Sequence, residues 1–187
     1  MRFKTHSPLL AGTHAFLGAS NYHWINYDDA KLDMAFTTAM AARRGTEMHE
    51  LAYRLIRLGV RLPDTDATIN LYVNDAIGFR MTPEQMLFYS PNCYGTADTI
   101  SFMKNKLRIH DLKTGVTKTS ENQLYVYAAL FCLEYEFKPD EIDTFLRIYQ
   151  NNEVREYEAD PETIAFIMAK IIAFDKRIEL IRQDLDA

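Results

Sequence analysis

The chain has 187 residues, 48% of them hydrophobic, and a formal net charge of −5. That supplies apolar material for one compact domain with its own core, and too little length for a second independent one. No run of about 18 apolar residues occurs, and the N-terminus Met1-Arg-Phe-Lys-Thr-His has no apolar stretch behind its charges; the expectation is a cytoplasmic protein, neither membrane-spanning nor secreted.

Taken in order, Ser20 reads as the cap of a short helix running through Trp24 toward Tyr27. Asp33 to Leu58 has the spacing of a long helix, with Gly59 placed as its C′ residue. Ala67 to Phe79 and Gln85 to Tyr89 are rich in β-branched and aromatic residues and predict strands, with Pro83 at the turn between them. Two further strands follow, joined by a short turn at Lys104-Asn105. Ser120 to Glu136 predicts a helix capped by Ser120, carrying Leu124, Tyr127, Ala128, Phe131 and Cys132 at helical spacing. Thr144 to Gln150 and Val154 to Tyr157 read as a hairpin about Asn151-Asn152. Pro161 opens an amphipathic helix reaching Gln183. This order predicts an α/β (α+β) fold, a central mixed β-sheet flanked by helices.

The two strands about Lys104-Asn105 hold the most informative residues: Gly95-Thr-Ala-Asp98-Thr-Ile and Ile109-His-Asp111-Leu-Lys113-Thr-Gly115. Side chains alternate along a strand, so Asp111 and Lys113 share a face and Leu112 points to the other. A carboxylate on an otherwise apolar strand is costly to bury unless it is paired or coordinated. Acids on two neighbouring strands suit a hard divalent cation, Mg²⁺ or Mn²⁺, which prefers oxygen ligands and activates water for phosphodiester hydrolysis. A carboxylate pair with a nearby lysine also fits a plain salt bridge, and the triplet Asp-x-Lys alone recurs by chance.

Four ordered blocks narrow the choice: Gly45-Thr-Glu-Met-His49-Glu50, Gly95-Thr-Ala-Asp98, Asp111-Leu-Lys113-Thr-Gly115 and Gln123-Leu-Tyr-Val-Tyr127-Ala128. Together, over about residues 20 to 130, they resemble the PD-(D/E)XK nuclease superfamily, in the branch with RecB-like nuclease domains and phage exonucleases. The resemblance implies a single nuclease domain over 1–187 with a restriction-endonuclease-like core. It implies metal ligation by His49, Asp98, Asp111 and the Leu112 backbone carbonyl, with Lys113 assisting the attacking water and Gln123 positioning it. A small glycine, Gly45, would leave room beside the metal. Glu84 matches an acid sometimes found ahead of the Gly-x-x-Asp strand; Glu50 reads as solvent-facing, and the second Gln-x-x-x-Tyr, Gln85 to Tyr89, as coincidence.

The activity so implied is a Mg²⁺- or Mn²⁺-dependent DNA exonuclease of phage-type recombination or repair, leaving 5′-phosphates. A structure-selective endonuclease and a catalytically silent DNA-binding module are the alternatives. DNA is the implied partner, with a recombination or single-strand-annealing protein as a possible second, in a bacterial or phage-infected cell. Arg43, Arg44, Lys118 and Tyr127 are the expected DNA contacts. Some relatives hold an iron–sulfur cluster on four cysteines; Cys93 and Cys132 cannot supply that, so no cluster is expected. A charge of −5 opposes binding to phosphate, unless the cations gather on one side. Arg43, Arg44, Arg54, Arg57 and Arg61 form one group and Lys104, Lys106, Arg108, Lys113 and Lys118 another, while acids collect at Glu134 to Asp143 and Glu153 to Glu162.

Overall fold

The structure is a computed structural model that describes residues 15–185. The chain divides into two units, residues 1–44 and 45–187. Within the first, a 3-10 segment spans Ala19–Asn26. It begins after Gly18 without a side-chain cap, so Ser20 lies inside it rather than capping it. Trp24 is half-buried, and its indole N–H donates to the Gly18 carbonyl at 3.1 Å. Helix α1, Asp29–Leu58, starts earlier than its apolar spacing predicts. The reason is Asp28, whose Oδ1 accepts the Lys31 N–H at 2.8 Å and satisfies one of the otherwise orphaned first-turn donors.

In the second unit α1 closes as expected at Gly59 (φ +67°), where Val60 N–H reaches back to the Leu55 carbonyl at 3.0 Å. The next segment departs from expectation. Thr68–Gly78 is a helix, α2, and not a strand. Its buried residues Tyr72, Val73 and Ala76 lie on one helical face, packed with Ala52, Ile56, Leu112 and Tyr149. That packing outweighs the β-propensity of Ile69, Val73 and Ile77, which is a weak preference set by context. The Asn74 amide adds a bond to each side of Leu62, N–H to Oδ1 at 2.9 Å and Nδ2 to carbonyl at 3.0 Å.

Strands β1 (Thr82–Ser90), β2 (Cys93–Met103) and β3 (Lys106–Leu112) form an antiparallel meander. Pro83 sits inside β1 instead of at a turn; β1 is an edge strand, the position in a sheet where a missing N–H is tolerated. Lys104 (φ 53°) and Asn105 (φ 58°) make the two-residue turn of the β2–β3 hairpin. Helix α3 (Asn122–Glu134) then crosses back, so that β4 (Asp143–Gln150) pairs parallel to β3. Its N-cap is Glu121 with no side-chain bond, which removes the capping role from Ser120. The Asn151-Asn152 turn, both at positive φ, leads to β5 (Glu153–Glu158), and α4 (Pro161–Leu185) follows.

The sheet order is β1-β2-β3-β4-β5, mixed because β3 and β4 run parallel. Strand alternation sends Leu107, Ile109, Leu146 and Ile148 into a core with α3 and Ile164 of α4, and Leu112 and Tyr149 into a second core with α1 and α2. A partly buried network joins α2 to the sheet: Asp75 Oδ2 accepts from Tyr149 Oη at 2.6 Å and from Arg147 Nη1 at 2.8 Å, while Tyr149 Oη lies 3.1 Å from His110 Nδ1. Burial and the nearby Arg147 and Arg108 push the His110 pKa down to about 3, so this imidazole is neutral. Cys132 is buried in α3 and Cys93 half-buried; both are free thiols. Among the described residues, no helix is long and apolar enough to cross a membrane.

Candidate metal centre and cleft

Three elements deliver side chains to one place. His49 comes from α1, Glu84 from β1, and Asp98 from β2. Each offers one donor atom, and the three lie within 4.8 Å of one another. Glu84 and Asp98 face each other across the ladder between the pairs Pro83–Thr99 and Gln85–Ala97. Glu84 does so with φ of 51°, a left-handed conformation that a non-glycine residue in a strand adopts only when its surroundings enforce it. Nothing in a Pro-Glu dipeptide announces that backbone, which is why Glu84 carries less weight in the sequence than in the structure.

Asp98 Oδ2 lies 3.6 Å from His49 Nδ1 and accepts the Leu112 N–H at 2.8 Å. Leu112 thus touches the centre through its N–H, and its side chain is buried beneath. Asp111 is outside the close triad. Lys113 Nζ lies 3.0 Å from both of its carboxylate oxygens, donating to Oδ1, while the buried Oδ2 has only that ion pair among the described residues. Lys113 Nζ also donates to Gln123 Oε1 at 2.9 Å, and Gln123 Nε2 donates to Tyr127 Oη at 3.0 Å. A relay from Asp111 through Lys113 and Gln123 to Tyr127 results, with Gln123 and Tyr127 one turn apart on α3 as their spacing predicts.

The two aspartates work against each other. Burial, and then Asp111, raise the Asp98 pKa to about 6, against the opposing influence of His49 and the Leu112 N–H. Burial raises Asp111 too, opposed mainly by Lys113. The Tyr72 phenol below the site is raised by burial and then by Asp98. Desolvated acids crowded in this way favour uptake of a proton or a cation.

The glycines of the first two blocks have a steric reason. A Cβ on Gly45 would lie 2.7 Å from Thr114 Oγ1, and one on Gly95 would lie 2.9 Å from a Tyr127 ring carbon. Threonine can rotate; a ring in the core cannot. Gly95→Ala is therefore expected to lose about 1–3 kcal/mol, the usual cost of overpacking, and to displace Tyr127 from Gln123. Urea denaturation of both proteins measures this, and an unchanged midpoint would show that the ring has room to move.

Beside the triad a cleft of about 570 Å³ is lined by His49, Tyr53 and Arg57 of α1 and by Pro83, Glu84 and Gln85 of β1. Glu50 lines it as well, exposed and paired with Arg54 at 2.7 Å. No family model matches this sequence, and no curated protein does. Among solved structures, the crystal structure of SSO0001 is similar at 16% identity with a TM-score of 0.32, over 57% of this chain. The chain spans about half the length of that protein, 56% of it. The functional reading therefore rests on the site's own geometry.

Some expected contacts fall elsewhere. Tyr127 is buried, 9% exposed, and supports Gln123 instead of presenting a face to DNA. Arg43 and Arg44 are exposed in the part of α1 that belongs to the first unit. Lys118 is exposed between β3 and α3. The second basic group is not one cluster: Lys106 opens β3 and Lys113 follows its end, seven strand positions apart at about 3.3 Å each.

Proposed function

We propose that the chain is a Mg²⁺- or Mn²⁺-dependent deoxyribonuclease of the PD-(D/E)XK type, acting on strand ends as an exonuclease. What supports this most is the meeting of all four sequence blocks: His49 with Asp98, Asp98 with the Leu112 N–H, Lys113 with Gln123, and Gly95 with Tyr127. An accidental Asp-x-Lys triplet would not bring the other three blocks with it.

The donor set fits a hard cation. Two carboxylates and an imidazole converge, Asp98 is raised by its surroundings, and the buried Asp111 Oδ2 next to them is met among the described residues only by the Lys113 ammonium. His49, Glu84 and Asp98 would hold the ion, with Asp111 beside it. When bound, such an ion polarises a phosphate oxygen and lowers the pKa of a coordinated water. The chain's own part lies in Lys113, whose ammonium is fixed by Asp111 and Gln123 so that a spare N–H can meet the charge growing on phosphorus-bound oxygen. Hydrolysis joins the water oxygen to phosphorus and breaks the P–O3′ bond, with the water proton passing to solvent and O3′ leaving as a hydroxyl. Tyr53 and Arg57, one helical turn apart along the cleft from His49, give the strand an aromatic face and a cation.

End-labelled linear duplex and closed circular DNA, incubated with Mg²⁺, Mn²⁺ or EDTA, test the proposal. Expected is metal-dependent loss of the linear form only, abolished in Asp98→Asn. Cutting of the circle would make the enzyme an endonuclease, and an intact linear substrate with both metals would sink the nuclease reading.

A further inference from the structure

A second pocket, of about 240 Å³, opens at the other end of β3, where the β2–β3 turn meets the C-terminal end of α2. Arg80, Lys104, Lys106 and Arg108 line it, together with Ser101, and no carboxylate does. In a chain with net charge −5 that is a marked local excess of positive charge. One ion pair engages it from outside, Lys106 with Asp143 at 3.8 Å. Among the described residues, the side chains of Arg80, Lys104 and Arg108 make no hydrogen bond or ion pair. Arg108 is nevertheless held in place: its guanidinium lies 4.8 Å from the Phe79 ring centroid and 5.4 Å from that of Phe145. A guanidinium stacked in this way has its N–H fork spare for a planar or tetrahedral oxyanion. Arg80 (φ 52°) and Lys104 (φ 53°) both sit on left-handed turn backbone, which carries their side chains out to the rim.

We propose that this pocket is a second phosphate site, which grips a backbone phosphate of a DNA strand away from the metal centre. The proposal rests on DNA being the substrate. Lys106 and Asp111 are five residues apart on one strand, about 17 Å at the usual rise, so one rod of sheet fixes the spacing between grip and cleavage site. A free phosphate ester offers the same chemistry, and the distinction between the two sources is a matter of length: a strand must reach both sites at once.

Binding of labelled single-stranded oligonucleotides to the full chain, followed by fluorescence anisotropy in EDTA, tests this without hydrolysis. The variants are Arg80→Asn/Lys104→Asn, which keeps a residue type tolerant of positive φ, and Arg108→Gln alone. For an oligonucleotide long enough to reach from Asp111 to Lys106, the double variant is expected to bind about tenfold more weakly, and its log–log salt slope to fall by about 0.7 per cation removed. An oligonucleotide too short to reach both sites is expected to bind the wild type through the pocket alone and to lose that binding in the double variant. Unchanged affinity and slope for the long strand in both variants overturns the proposal. So does a pocket whose variants lose inorganic phosphate but not DNA. Failure of the nuclease reading is separate: pocket-dependent binding without cleavage by the wild type would remove the activity and leave the grip.

Discussion

Lys113→Ala is expected to lower the rate of DNA cleavage by about 10²–10³-fold, the usual cost of deleting one preorganised donor aimed at developing charge, while Mn²⁺ binding by calorimetry persists. The split follows from position. Lys113 Nζ touches Asp111 and Gln123 but none of the close triad of His49, Glu84 and Asp98. Its loss also strips Asp111 of the group that most opposes the upward push of burial on its pKa, so the carboxyl holds a proton more readily than in the wild type. Lys113→Ala should consequently recover part of its activity as pH rises, whereas the wild type changes less. A variant that loses metal binding together with cleavage would show that the lysine organises the triad, and a variant with full activity would remove it from the mechanism.

In EDTA at pH 7.5, Asp98→Asn is expected to be more stable than the wild type. The folded pKa of Asp98 is raised from the ordinary carboxylate value of 3.8 to about 6. The folded form thus binds the proton more tightly than the unfolded chain does. The stability linked to that proton is complete below about pH 4 and is lost as pH climbs through about 6, a change of about 3 kcal/mol at most for a shift of this size. Asparagine carries no charge to desolvate, and its side-chain carbonyl can still accept the Leu112 N–H. Thermal melts across pH read the difference, which should shrink toward pH 4. Added Mn²⁺ should reverse the order by stabilising only the wild type, with an affinity that increases through pH 6 as the proton is displaced. A less stable Asp98→Asn in EDTA at pH 7.5 would mean that the carboxylate is structurally favourable as an anion.

Much of this site is readable along the chain because its parts are local. The Asp98 and Asp111 strands, their turn, and the Gln123–Tyr127 helix carry period-two and period-four signals that tertiary packing left alone. Glu84 is different: its role depends on a left-handed backbone and on facing Asp98 across an edge ladder, and neither has a residue-type signature. Ala67 to Phe79 shows the opposite failure. Its β-branched residues spell a strand until α1, Leu112 and Tyr149 supply a surface that only a helix can match. The split of the second basic group was invisible for a simpler reason, since residues adjacent in sequence on a strand are carried far apart in space.

The meander β1-β2-β3 also sets the order in which the centre is assembled. Glu84, Asp98 and Asp111 are joined by short hairpin connections, whose closure entropy is small, while the parallel β3–β4 pairing must await the α3 crossover. On loop-closure grounds the three acids are expected to come together in water first, where their repulsion is screened. Only when α3 and β4 dock does the core close over them and raise its demand for a proton or a cation. On this order the chemistry of the site is expected to be imposed late in folding, by elements that contribute none of its carboxylates.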